Sequence, residues 1–282
     1  SLDKIKKIII IDNFSSERYI SFINLKNRKK IIFFDEDLVH FNLNKIKNKI
    51  DCIIHLASTT NAEKSFSNKE RVLDNNVECT NKILALGNKN TKIIFASSTS
   101  VYGSQYKIIN SKNNQLNISP QSPYAESKIL CENIIKKKSA NYCIMRFGTI
   151  FGMSDGMRFH TAINKFCYQA AMDKEITIWK KFYKKKRPYL DLDDCVRSII
   201  FSIFNQKIKN ETLDVVTINL KVIDIIKEIE KLKKINKSFV NTKILNQLSY
   251  EVHSDRLISL KFKFNGNLFS SINKTINKLN LG

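Results

Sequence analysis

At 282 residues the chain can bury a sizeable core, in one large domain or two interleaved ones, and its 43% apolar and 26% charged content is that of a soluble globular protein. No stretch reaches the ~20 apolar residues of a membrane span and no signal peptide opens the sequence, so no membrane partner is expected. The net charge of +22 comes from 48 Lys and Arg against 26 Asp and Glu. These lysines are spread among Ile and Asn without a helix-turn-helix or aromatic-basic pattern, which reads as solvated surface rather than a nucleic-acid footprint.

Short β-branched runs alternate with longer amphipathic ones through the first half. The spacing predicts strands at "KIIIID" (7–12), "KIIFFD" (30–35), "DCIIHLAS" (51–58), "KIIFASS" (92–98) and "YCIMRFG" (142–148), and helices over 70–87 and 123–138. Continuously apolar strands alternating with helices imply a parallel sheet covered on both faces, a doubly wound α/β fold. Ligands of such sheets bind at the carboxyl ends of the strands, where Asp12, Asp35, Ser58, Ser98 and Gly148 fall. Residues 1–150 are expected to form this domain, and 151–282 mainly a smaller substrate lobe interleaved with the sheet.

In that second part "TAINKFCYQAAM", "LDDCVRSIIFSIF" and "NLFSSINKTINKL" read as helices and "EITIWKK" as a strand. "ETLDVVTINLKVIDIIKEIEKL" reads as one strand followed by a helix. Six cysteines are scattered without a C-x-x-C pair, which points to reduced thiols in a cytoplasmic protein and away from a zinc site.

The chemistry concentrates in "KIIFASSTSVYG" (92–103) and "SPYAESK" (122–128). Ser122 is placed to cap a helix with Pro123 at its first position, which sets Tyr124 and Lys128 on one face a turn apart. A phenol titrating near ~10 is a poor base at neutral pH, but a nearby ammonium favours the phenolate. Ser98, at a strand end, is placed to hold a substrate alcohol against it.

With these residues in view the chain resembles the extended short-chain dehydrogenase/reductases, in particular the NAD-dependent nucleotide-sugar epimerase/dehydratase family that includes UDP-galactose 4-epimerase. The likeness covers nearly the whole chain. It implies a catalytic set of Ser98, Tyr124 and Lys128, with the last two also touching the cofactor. It implies that "IIIIDNFSS" carries the ribose-binding acid Asp12 beside Asn13, and that "DEDL" touches adenine through Asp37 and Leu38. Leu56, Ala57 and Ser58 of "IIHLAS", Asn75 of "NNVECTNKIL" and Gly148 would line the rest of the cofactor site. Arg187 of "RPYLDLDDCVRSI" would grip a nucleotide diphosphate, Thr149 and Ser98 would face the sugar, and Trp179 would pack near the base. The resemblance further implies NAD rather than NADP, a nucleotide-diphosphate sugar as substrate, a homodimer through helices 75–87 and 123–138, and a part in polysaccharide synthesis.

Departures from the family are equally specific. The family opens with a strand and a glycine-rich turn that lets a pyrophosphate approach the backbone. Here the first glycine is Gly87, so no such turn precedes Asp12, and an upstream segment of roughly thirty residues is expected beyond the sequence. Thr149 replaces a family asparagine, Cys79-Thr80 replaces a Gly-Thr, and the basic "KKFYKKKR" replaces a G-D-G loop. Dehydratases of the family carry an Asp-Glu pair after the catalytic hydroxyl residue, whereas this chain has Thr99 and Ser100. Epimerisation is therefore expected over dehydration, with decarboxylation or reduction as other family chemistries. A non-catalytic binding protein derived from the family is the rival reading.

Overall fold

The five apolar runs of the first half all form parallel strands. The computed structural model describes residues 4–23, 25, 27–46, 50–60, 62, 64–104, 108–110, 118–181, 183–241 and 249–280. Of the basic cluster 180–187, residue 182 lies outside the described residues.

Strands β1 (Ile8–Asp12) and β2 (Ile31–Asp35) pair in parallel. Strands β3 (Cys52–His55), β4 (Lys92–Ser98) and β5 (Tyr142–Phe147) form a parallel sheet that β9 (Glu211–Val215) completes beside β5. Alternate residues of these strands point to opposite faces. Ile93 and Phe95 meet helices α1 (Lys69–Leu86) and α2 (Pro123–Lys138) through Cys79, Ile83, Cys131 and Ile135. On the other face Ile94, Cys143 and Met145 pack with Cys195 of α4 (Leu192–Phe204), with Leu257 of α6 (Asp255–Ser259) and with Phe262. Both faces are covered, which is why these strands read as unbroken apolar runs. The result is the expected α/β fold with a Rossmann-type parallel sheet.

Two features depart from the sequence expectation. The sheet is in two pieces: among the described residues no ladder joins β1 to β3, and Ile8, Ile54 and Leu56 stay exposed beside that seam. The run from residue 211 gives two strands rather than one, because the chain changes sheets after β9. There Val216 N donates to Ser254 Oγ and Thr217 N to Tyr189 O, which redirects the backbone into β10 (Ile218–Lys221) and then α5 (Val222–Glu230). An apolar periodicity cannot announce a change of pairing partner.

The second lobe holds β6 (Thr149–Phe151), β8 (Lys186–Asp191) and β10 in the order β10-β8-β6. A further parallel pair joins β7 (Ile176–Trp179) to β11 (Lys237–Val240). Helices α3 (Ala162–Ala171), α5 and α7 (Leu268–Leu279) close its core around Phe166, Ile176, Tyr189, Ile225 and Ile272. Strand β6 follows β5 through Gly148 alone. A Cβ there would lie 3.1 Å from the Pro188 carbonyl oxygen, so the close approach of β8 favours glycine.

Candidate active site

Strand β4 ends in hydroxyl residues that leave the sheet at once. Ser98 is the cap of a short 3-10 turn over Thr99–Tyr102, and its Oγ accepts from Ser100 N at 3.2 Å and Ser100 Oγ at 2.9 Å. Helix α2 starts as its sequence dictates, with Ser122 Oγ accepting from Ala125 N at 3.2 Å and Pro123 in the first turn. Tyr124 N donates to Ser65 Oγ at 3.3 Å, which ties the head of α2 to the loop before α1. The two ends meet: the Ser98 hydroxyl comes close enough to the Tyr124 phenol to favour its ionised form.

Lys128 is buried one turn below Tyr124. Its Nζ donates to Ala96 O at 2.9 Å and lies 4.9 Å from the Phe95 ring centre and 5.6 Å from that of Tyr124. Burial pulls its ammonium down to about 8, against the opposing pull of Cys131, Glu132 and Cys79. Burial pushes the Tyr124 phenol up, against a smaller opposing pull from the Ser98 hydroxyl and the charge of Arg158. His55, at the end of β3, is held at about 3 by burial and by Lys128 and so stays neutral; its Nε2 meets Thr80 Oγ1 at 3.1 Å.

A fully buried polar network lies beneath this pair. Arg146 of β5 grips Glu132 of α2 through Nε at 2.9 Å and Nη2 at 2.6 Å, and Nη1 donates to Tyr102 OH at 2.9 Å. Tyr102 OH donates to Asp214 of β9 at 2.5 Å, and Ser97 Oγ donates to Glu132 Oε1 at 2.6 Å. Strands β4, β5 and β9, the 3-10 turn and α2 are thereby fixed to one another around Ser98 and Lys128. Sequence reading missed this set. Its one signal was Glu132 four residues beyond Lys128, on the face that α2 buries.

The residues assigned to the adenosine end gather at the carboxyl ends of β1, β2 and β3. Asp12 is exposed and accepts from Phe14 N at 2.8 Å; Asn13 Nδ2 donates to Asp37 Oδ2 at 2.7 Å. Leu38 is buried against Cys79 and Ile83, Leu56 is exposed, and Ala57 and Ser58 are half-buried. Asn75 is half-buried, with Nδ2 3.3 Å from Thr59 Oγ1. Its neighbour Asn76 does the bridging: Oδ1 accepts from Thr59 N at 2.7 Å and Nδ2 donates to Ser127 Oγ at 2.8 Å. The adjacent asparagines are alike in sequence, and only the helix phase tells which one faces inward.

From the second lobe, Gly148 and Thr149 lie directly after β5, and Thr149 pairs with Tyr189. Arg187 is half-buried on β8, close enough to Tyr189 and Tyr250 to act on both, whereas Lys184 and Lys185 are exposed. Tyr250 in turn meets Thr99 Oγ1 at 3.2 Å, which carries the chain of contacts to Ser98. Trp179 is exposed at the end of β7, opposite Val240, and among the described residues no hydrogen bond or ring contact ties it to Tyr124 or Arg187. Arg158, which sequence reading passed over, reaches the site from the loop after β6, and its Nη1 donates to Thr60 Oγ1.

Residues 6–216 match the model of the NAD dependent epimerase/dehydratase family, which is most of the chain. The chain belongs to that family. Among curated relatives, this family member is 28% identical over 227 residues to an uncharacterized UDP-glucose epimerase of Bacillus subtilis, covering 76% of this chain and 69% of the relative. It is 30% identical over 165 residues to a dTDP-D-glucose 4,6-dehydratase of Dictyostelium discoideum, covering 53% and 37%. In fold it is similar to the UDP-glucuronic acid 4-epimerase of Bacillus cereus, solved with UDP-glucuronic acid and NAD. The TM-score is 0.83, with 22% identity and coverage of 97% and 90%. A UDP-N-acetylglucosamine 4-epimerase of Methanobrevibacter ruminantium also gives 0.83, at 21% identity over 98% and 92%.

The family's cofactor fits this epimerase/dehydratase at both ends. The exposed Asp12 carboxylate at the tip of β1 has the chemistry to accept from ribose hydroxyls, and the Tyr124 phenol beside Ser98 has that to exchange a proton with an alcohol. Between them no glycine-rich turn occurs, since Gly87, the first glycine, caps the end of α1.

Proposed function

We propose that this protein epimerises a nucleotide-diphosphate sugar through a transient ketone, with NAD. The observation that carries the reading is the meeting of Ser98 and Tyr124 at the carboxyl edge of the sheet, with Lys128 buried behind them and its Nζ 5.6 Å from the Tyr124 ring centre. Bound NAD supplies the hydride acceptor and, for the return step, the donor. Tyr124 takes the proton from the sugar hydroxyl and gives it back to the re-reduced oxygen, while Ser98 holds that oxygen in line. Lys128 holds the nicotinamide ribose and adds positive charge behind the phenol. Asp12 with Asn13 takes the adenosine ribose, Asp37 and Leu38 the adenine, and Leu56 to Ser58, Asn75 and Gly148 the remaining rim. Arg187 grips the diphosphate, Thr149 faces the sugar, and Trp179 is assigned to the base only by its place in the second lobe.

Eliminating water from the ketone would need its own acid and base beside Ser98. The next two residues are Thr99, engaged with Tyr250 and Phe147 O, and Ser100, engaged with Ser98; neither titrates near neutrality. The same reading places a homodimer on the outer faces of α1 and α2, where Leu130 is 45% exposed. Incubation with UDP-glucose, UDP-glucuronic acid and their amino-sugar counterparts, followed by mass spectrometry, tests the reaction. An isomer of unchanged mass with no net NADH is expected, and a product lighter by one water contradicts it.

A further inference from the structure

The proposed proton-transfer and diphosphate ends of the cleft sit on different lobes, Ser98 at the end of β4 and Arg187 on β8. Residues 250–254 run between them as a strap. On the first lobe the strap pairs with Ile109, whose N donates to Glu251 O at 2.9 Å and whose O accepts from His253 N at 2.8 Å. On the second lobe Tyr250 N donates to Lys186 O at 3.2 Å, directly before Arg187. Asn219 of β10 closes the same side: its Nδ2 donates to Val252 O and its Oδ1 accepts from Val252 N, both at 3.0 Å. Ser254 Oγ accepts from Val216 N at 2.8 Å and donates to Val216 O at 3.1 Å, where the chain changes sheets. None of these fastenings uses the Tyr250 side chain, so the path of the strap does not depend on it.

That side chain reaches into the first lobe. Tyr250 is buried among Val101, Tyr102, Ile109, Val216 and Val252, and its OH meets Thr99 Oγ1 at 3.2 Å. The direction of this bond follows from a second one. Thr99 has a single hydroxyl proton and gives it to Phe147 O at 3.2 Å, so it accepts from Tyr250. Burial pushes the Tyr250 phenol up to about 12, which keeps the donated proton in place at neutral pH. A phenylalanine would fill the same apolar cluster; what the hydroxyl adds is the bond to Thr99. Thr99 follows Ser98 directly and opens the 3-10 turn that Ser98 caps.

We propose that Tyr250 is a positioning residue: through Thr99 it fastens the Ser98 turn to the strap that also fixes β8 at Arg187, so that the hydroxyl beside Tyr124 is held in register with the bound diphosphate. The proposal rests on Ser98 acting at the sugar hydroxyl, and its test separates the two claims. The full chain with NAD is assayed for kcat and KM with whichever of UDP-glucose and UDP-glucuronic acid it converts faster. Tyr250→Phe loses roughly three- to tenfold in kcat, the worth of one neutral hydrogen bond, with KM within about twofold. The split arises because the transition state needs Ser98 in line, while the backbone fastening at Lys186 survives. Thr99→Val loses the same amount, and the double variant falls no further, because both changes remove one bond. Thr99→Ser, which keeps the hydroxyl and gives up only packing, returns kcat to near wild type. Glu251→Gln, which cuts the strap's ion pair with Lys186, leaves kcat in place. If Tyr250→Phe does not fold, the Thr99→Val and Thr99→Ser pair decides. Wild-type kcat in Tyr250→Phe or Thr99→Val, additive losses in the double variant, or a rise in KM alone overturns the proposal. Full turnover by Ser98→Ala would instead remove the role of Ser98 on which it rests.

Discussion

The two ends of the cleft are built on opposite plans. Around Ser98 and Tyr124 the polar groups beneath are buried and bonded to one another, from Ser97 through Glu132 and Arg146 to Tyr102 and Asp214. At the tips of β1 and β2, Asp12, Asn13 and Asp35 are exposed; Asp12 and Asn13 each accept from a backbone N two residues on, and Asn13 also donates to Asp37. A proton transfer needs its partners held to fractions of an ångström before substrate arrives, and a low-dielectric network does that at the cost of burying charge. A ribose needs a carboxylate that can still meet it, so the second end stays open.

That contrast predicts where substitutions are felt as stability and where as affinity. Glu132→Gln leaves the fully buried Arg146 guanidinium without its counter-charge and should cost about 3–5 kcal/mol of folding stability, read as a lowered denaturant midpoint. If it melts like wild type, the network is not what holds the catalytic end. Arg187→Ala should leave stability in place and raise KM for a nucleotide sugar roughly tenfold, because a diphosphate loses a charge-assisted donor. Lys185→Ala, at an exposed position, should change it less than about twofold. Equal effects would make the basic stretch a diffuse surface. The smallest effect belongs to the open end: Asp12 repels a 2′-phosphate, so calorimetric titration should show NAD favoured over NADP by roughly tenfold, with Asp12→Ala erasing most of the difference. Tighter NADP binding by wild type would place another group at the ribose.

Much of this molecule was readable in its sequence, and for physical reasons. The start of helix α2 was legible because Ser122 and Pro123 specify one, and the structure begins it at Pro123. Strands β4 and β5 were found because burial on both faces makes them continuously apolar. What stayed hidden depends on contacts distant in sequence. The split of residues 211–221 between two sheets is set by Ser254 and Tyr189, and Arg146 gave no sign that Glu132 awaited it across the sheet. Arg158 was one of many basic residues until the fold brought it to Thr60. No glycine precedes Gly87 in this sequence, and among the described residues no ladder joins β1 to β3.

The central claim is that a phenolate at the end of β4 and α2 moves the proton. Turnover of Tyr124→Phe measures it directly, since the substitution removes the phenol oxygen and leaves the ring in place. The account predicts a variant that folds and melts like wild type and converts no nucleotide sugar above background; near-full activity would contradict it.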